Sequence, residues 1–138
     1  MKIAVIDGQG GGIGKHITEK IRKHLGRDIE IIALGTNSVA TSMMLKAGAN
    51  EGATGESAIV YTVDQVDVIT GSLSIIIAHS MLGELTPSIA AAVSRSKAVK
   101  MLLPIGKNGV EIVGVQKEPL PHLIGILVNN LKKYREVE

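Results

Sequence analysis

The stretch Lys2-Ile3-Ala4-Val5-Ile6-Asp7-Gly8-Gln9-Gly10-Gly11-Gly12-Ile13-Gly14-Lys15 decides how the chain folds. Residues 2–6 are a short aliphatic run closed by Asp7-Gly8, the pattern of a buried strand meeting a turn. From Ile13 the apolar positions step by four through Ile17, Ile21 and Leu25, and Gly26 follows as a helix C-cap. A strand that passes through glycines directly into a helix aims the helix's free N–H groups and positive dipole end above the sheet. An anion site is the expectation at such a junction, with a ligand-free glycine turn as the alternative. Glycine in a helix entry costs conformational entropy, so the density of glycine at 8, 10, 11, 12 and 14 favours the phosphate reading.

Outward from this stretch the strand–helix alternation continues. Glu30 to Leu34 reads as a second strand, and Gly35-Thr36-Asn37-Ser38 as a turn and N-cap for a helix through Met43, Met44 and Ala47 to Gly48. Gly52 to Gly55 holds a short third strand. Residues 58–63 fit a strand or, by the spacing of Ile59, Val60, Val63 and Val66, a helix. Asp67 to Gly71 is a further buried strand, and Ser72 to Leu85 is ambiguous. Thr86-Pro87 is a strong helix start leading to Ser96. Val99 to Leu103 is a strand stopped by Pro104, and Val110 to Val115 reads as another, joined to it as a hairpin through a Lys107-Asn108-Gly109 turn. Pro119 or Pro121 opens a last helix with Leu123, Leu127 and Leu131 in four-residue steps. The expected architecture is α/β, a three-layer Rossmann-like doubly wound and mainly parallel sheet, as one domain over residues 1–138.

Composition narrows the function classes. The chain has 138 residues, 45 % hydrophobic, enough for one core and too few for a separate second active-site domain. With no cysteine, disulfides, thiolate nucleophiles and Cys-ligated metal centres are excluded. A run of four apolar residues between Lys2 and Asp7 is too short for a signal-peptide core, and runs such as Ile75 to Ala78 fall far short of the ~20 residues of a membrane span. The expected location is the cytoplasm. A net charge of +2 indicates no particular partner. The basic cluster Lys15, Lys20, Arg22, Lys23 and Arg27 is a solvated helix face, and only two aromatics, Tyr61 and Tyr134, are present for bases to stack on. Neither nucleic acid nor a membrane is an expected partner.

Glycine spacing selects among phosphate ligands. Gly8, Gly12 and Gly14 fit G-x-x-x-G-x-G rather than G-x-G-x-x-G, and Gly12-Ile13-Gly14-Lys15 resembles the loop of the short-chain dehydrogenases over the first 40 or so residues. That family's Tyr-x-x-x-Lys is missing, since Gln65 follows Tyr61 and Glu138 follows Tyr134 at the required distance. Hydride transfer of that type is therefore not expected. Gly10 to His16 also resembles the deviant P-loop of the MinD-like ATPases, but Gly10 stands for its first lysine and His16 for the hydroxyl that would hold magnesium. At the end of the second strand, Thr36 and Asn37 stand where an acidic residue would accept from an unphosphorylated ribose, which disfavours NAD more than nucleotides in general.

Nearly the whole chain resembles a family of small uncharacterised bacterial proteins that begin Ile-Asp-Gly-Gln-Gly-Gly-Gly. Shared stretches are Ile32 to Asn37, Ala47-Gly48-Ala49, Gly52 to Glu56 and Ser80 to Pro87. The resemblance implies a stand-alone Rossmann-like domain and lends no activity. A fainter similarity, through Gly71-Ser72 and Ser96-Lys97-Ala98, links residues 67–101 with the gluconeogenesis-factor and phospholactate-transferase group. It implies a second ligand-facing turn at Gly71 and Ser72.

The expected ligand is thus a nucleotide or dinucleotide, NADP being one candidate. Gly8, Gln9, Gly10, Gly11, Gly12, Ile13, Gly14 and Lys15 would hold its phosphate, Thr36 and Asn37 its ribose end, and Gly71 and Ser72 the cleft. The alternative is a small enzyme acting on a phosphorylated metabolite, with His79, Ser80 and Glu84 as acid–base candidates. Such a trio also serves to satisfy a loop and the following helix, and both readings stand. A third reading is a non-catalytic oligomeric scaffold. Met43, Met44 and Leu45 suit a core or an oligomer surface, and copies of so small a sheet are expected to pair. His16, His24 and His122 show no metal-ligand spacing.

Overall fold

Residues 3–6 are buried on both sides because they lie at the centre of a parallel sheet. In the computed structural model, which describes residues 1–106 and 109–137, five parallel strands lie in the order β3-β2-β1-β4-β5. They are β1 (Lys2–Asp7), β2 (Glu30–Gly35), β3 (Glu51–Thr54), β4 (Val68–Ser72) and β5 (Val99–Leu103). The helices are α1 (Gly12–Leu25), α2 (Ser38–Lys46), α3 (Glu56–Thr62), α4 (Pro87–Arg95) and α5 (Leu120–Val137), with a 3₁₀ turn at Leu73–Ile76. Strands covered on both faces need apolar residues at every position, which is why β1 and β2 read as continuous runs and not as alternations.

Alternate strand residues feed two cores. Ile3, Val5, Ile31, Ala33 and Val68 pack against Ile17, Ile21 and Leu25 of α1, Met44 of α2, and Leu123, Leu127 and Leu131 of α5. Ala4, Ile6, Ile32, Leu34 and Ile69 pack against Ile59 of α3 and Ile89 and Val93 of α4. The result is the three-layer Rossmann-like arrangement expected from the sequence. Ile17 and Ile21 are wholly buried, and each contributes about 1.5–3 kcal/mol of apolar burial. The chain winds outward from β1 to β3, then crosses to β4 on the other side of β1. The β1–β4 ladder runs from Ile3–Val68 to Val5–Thr70, and beyond it lies the crevice where open α/β sheets reverse direction and bind ligands.

The structure resolves two ambiguities and corrects one expectation. Residues 56–62 are helix, so the helical spacing of Ile59 and Val63 prevails over a strand. The ambiguous segment after β4 is the 3₁₀ turn followed by a chain of tight turns to Leu85. Val110 to Val115 is not a strand, and no hairpin forms with β5, which pairs only with β4 among the described residues. The segment is exposed, Val113 at 92 %, and Gly114 has a left-handed φ of 88°. Its Val110–Ile112 alternation has no core to face, because the chain there is returning from the β5 end of the sheet to the α1 side for α5. Lys107 and Asn108 of the expected turn lie outside the described residues. At the start of α5 the carbonyl of Pro119 accepts from the N–H groups of His122 and Leu123, and Pro121 sits in the first turn, where a missing N–H costs nothing.

Candidate functional site

The junction of β1 and α1 is a tight turn organised by Asp7. Its carboxylate accepts the N–H of Gly8 at 2.8 Å and of Gly14 at 2.6 Å, and the N–H of Gly11 closes on the carbonyl of Gly8 at 3.0 Å. Gly11 is the N-cap of α1 with φ of 75°, and a Cβ there would lie 2.8 Å from Cα of Ala40. Gly14 has no room for a Cβ against the Met44 sulfur, which brings α1 close to α2. Two glycines of the loop are of another kind: Gly10 and Gly12 would project a Cβ into open space. The N–H groups of Gly10, Gly12 and Ile13 have no acceptor among the described residues. They are the orphan donors of a helix entry, next to the positive end of a 14-residue helix.

These donors open onto a cleft of about 430 Å³ between the ends of β1 and β4, within the ~300–1,000 Å³ of small-molecule sites. Its far wall is Ser72, Ser74 and Gly106, and Met81 and Leu82 lie over it. Ser72 is 4 % exposed and its hydroxyl has no hydrogen-bond partner among the described residues. Ser72 follows Val68 and Thr70 on the α1 side of β4, so the strand's alternation turns it toward the helix entry.

Asp7, 5 % exposed, is held above the ordinary carboxylate range by burial. The bonds from Gly14 and Gly8 oppose that rise, and the neighbouring Glu84 charge adds to it. Glu84 is the other carboxylate of the site. Its Oε1 accepts the N–H of Gln9 at 2.8 Å, the Thr36 hydroxyl at 2.7 Å and the Asn37 amide at 2.8 Å. The bond from Gln9, followed by that from Thr36, holds its carboxyl below the usual range. Asn37 also caps α2 through its Oδ1 to the N–H of Ala40, and donates to the carbonyl of Gln9.

Of the residues predicted from sequence, Gly8 to Ile13 and Ser72 meet in the cleft. Lys15 lies one turn into α1 and does not line it, and Gly14 is packed behind the loop. Gly71 lies within β4 rather than in a turn, and a Cβ on it would meet the Ile6 carbonyl at 2.6 Å. Thr36 and Asn37 are at the end of β2 but are engaged by Glu84. The three acid–base candidates do not share partners. The buried Ser80 hydroxyl donates to the Ser74 carbonyl at 2.6 Å, Glu84 holds the loop and β2, and His79 is exposed. Sequence reading missed Ser74, Met81, Leu82 and Gly106 as cleft residues, and the bond from Gln9 to Glu84. No local pattern marks them, although the lack of an acid at the end of β2 left Thr36 and Asn37 in want of an acceptor.

Among the described residues no group of His, Asp and Glu is arranged to hold a metal, and no helix is long and apolar enough to cross a membrane. Comparison with curated proteins and with solved structures gave no match. A family model described as a domain of unknown function, DUF3842, matches residues 2–136, and the chain belongs to that family.

Proposed function

We propose that the protein binds the phosphate of a nucleotide or related phosphate ester in the cleft between β1 and β4, with the N–H groups of Gly10, Gly12 and Ile13 as donors. The observation that carries this reading is Ser72, 4 % exposed, whose hydroxyl has no hydrogen-bond partner among the described residues and lines the same cleft as those three donors. The Ser72 hydroxyl is free to donate into the cleft, and an anion held between β4 and the helix entry would accept from it at about 1 kcal/mol net. The α1 dipole supplies the charge complement. A dinucleotide such as NADP and a mononucleotide both fall within this reading. The acid–base alternative has less support: Glu84 is held ionised, which makes it a weak base, and Ser80 is committed to Ser74. A cysteine-free chain without a membrane-spanning helix among the described residues accords with work in the cytoplasm.

Thermal-shift and native mass-spectrometric screening against NADP, NAD, FAD, ATP, UDP-sugars and co-purified small molecules tests the proposal. A stabilising shift in the wild type that is lost in Gly12→Val is the expected result, since a Cβ at Gly12 meets nothing within 4 Å. Ser72→Ala should weaken binding by about tenfold, the worth of one hydrogen bond. No shift with any ligand at millimolar concentration, and no retained molecule, would overturn the reading.

A further inference from the structure

We infer that the cleft takes a compact phosphate monoester, a phosphorylated sugar or a mononucleotide, and that Glu84 closes the β2 side against an extended dinucleotide. The inference rests on the phosphate reading above and narrows it. On an open α/β sheet a dinucleotide runs from the β1 loop across to the end of β2, where side chains bind its second ribose. Here that end is occupied from within. Thr36 and Asn37, the groups available to a ribose, both donate to Glu84 Oε1, and the same oxygen takes the N–H of Gln9. The Thr36 hydroxyl and the Met81 sulfur fill the space above Gly8. None of Thr36, Asn37 and Glu84 lines the cleft, which runs from the β1–α1 loop toward Ser72 and Gly106.

The segment that carries Glu84 is built to hold this position. His79, Met81 and Leu82 have left-handed φ angles of 67°, 57° and 56°, and Gly83 has 89°. A left-handed backbone is strained for a residue that carries a Cβ, so the conformation persists only because contacts fix it. Those contacts are the Ser80 hydroxyl on the Ser74 carbonyl, the N–H of His79 on Leu85 and the N–H of Leu85 on Ser80. A dinucleotide would have to displace a carboxylate with three donors, and a monoester seated on Ser72 and the α1 entry displaces nothing.

Calorimetric titration of the full chain with AMP, ribose 5-phosphate, inorganic phosphate, NADP and NAD tests this. For the wild type, AMP or ribose 5-phosphate should bind at least tenfold more tightly than either dinucleotide. In Glu84→Ala the gap should narrow by tenfold or more, and Thr36→Val, a near-isosteric change that keeps the fold, should narrow it in the same direction. Circular dichroism checks that both variants are folded. Dinucleotides binding the wild type as tightly as the monoesters, in competition with inorganic phosphate, would overturn the closure while leaving the phosphate site standing. A gap unchanged in two folded variants would remove Glu84 from the account. Inorganic phosphate bound without either monoester would overturn the ligand class. Failure of every probe, inorganic phosphate included, would instead sink the phosphate reading itself.

Discussion

Glu84 Oε1 accepts the backbone N–H of Gln9 at 2.8 Å across 75 residues of sequence, tying the turn after the 3₁₀ segment to the loop between β1 and α1. Gln9 needs this tie. It has a left-handed φ of 47° without being glycine, and a charge-assisted bond to its N–H offsets the strain. The same carboxylate engages Thr36 and Asn37 at the end of β2, so one side chain sets the geometry of three loops around the cleft.

Glu84→Ala should therefore loosen loops more than it unfolds the chain. Thr36 and Asn37 are half-buried and Gln9 is exposed, so water replaces much of what the carboxylate supplied. A loss of about 1 kcal/mol in urea unfolding is expected. Hydrogen exchange should quicken at Gln9 and over residues 79–85, with the core amides of β1 and β2 unaffected. Equal acceleration throughout the sheet would show that Glu84 supports the fold globally.

The two carboxylates of the site carry opposite pH signatures. Glu84 has its folded pKa below 4.5, so its contribution is present above that value and is lost as pH falls through the lowered folded pKa. Asp7 is raised above 3.8, so its contribution is present below that value and is lost as pH rises through the raised folded pKa. In unfolding measured from pH 3 to 7, the stability of wild type relative to Glu84→Gln should grow with pH. Relative to Asp7→Asn it should shrink. Parallel curves for wild type and either variant would contradict that assignment.

The α/β class and most of the elements were legible because their signals are local. Ile13, Ile17, Ile21 and Leu25 mark α1, the aliphatic runs mark β1, β2 and β4, and Thr86-Pro87 marks α4. The segment 110–115 misled because an alternating Val110–Ile112 pattern says nothing about whether a sheet edge and a buried face are there to receive it. Within the site, the glycine loop could be found from the end of β1, and Ser72 only through the resemblance at Gly71-Ser72. The placement of Glu84 could not, because it depends on left-handed turns at Met81 and Leu82, residues with no preference for them.

Ser80→Ala separates a structural hydroxyl from a chemical one. The side chain is buried and donates to the Ser74 carbonyl at 2.6 Å, and its loss should cost about 1–2 kcal/mol of stability. Saturating ligand should restore much of that by binding the folded state. Wild-type stability together with abolished turnover of a phosphorylated substrate would revive the acid–base reading.

Neighbouring glycines of the loop should respond in opposite ways to the same substitution. At Gly11 a Cβ meets the Ala40 backbone at 2.8 Å and the φ of 75° is left-handed, so Gly11→Ala combines backbone strain with a contact that no rotamer relieves. A loss of about 2–4 kcal/mol is expected. At Gly10 the same methyl enters open space and the φ is not left-handed. Gly10→Ala should be neutral or slightly stabilising, because the unfolded chain loses freedom, yet it places a methyl at the rim of the cleft. Chemical unfolding measured alongside ligand titration reads both effects. Gly11→Ala should lose stability, whereas Gly10→Ala should lose affinity alone, and equal affinity in wild type and Gly10→Ala would place the ligand away from this loop.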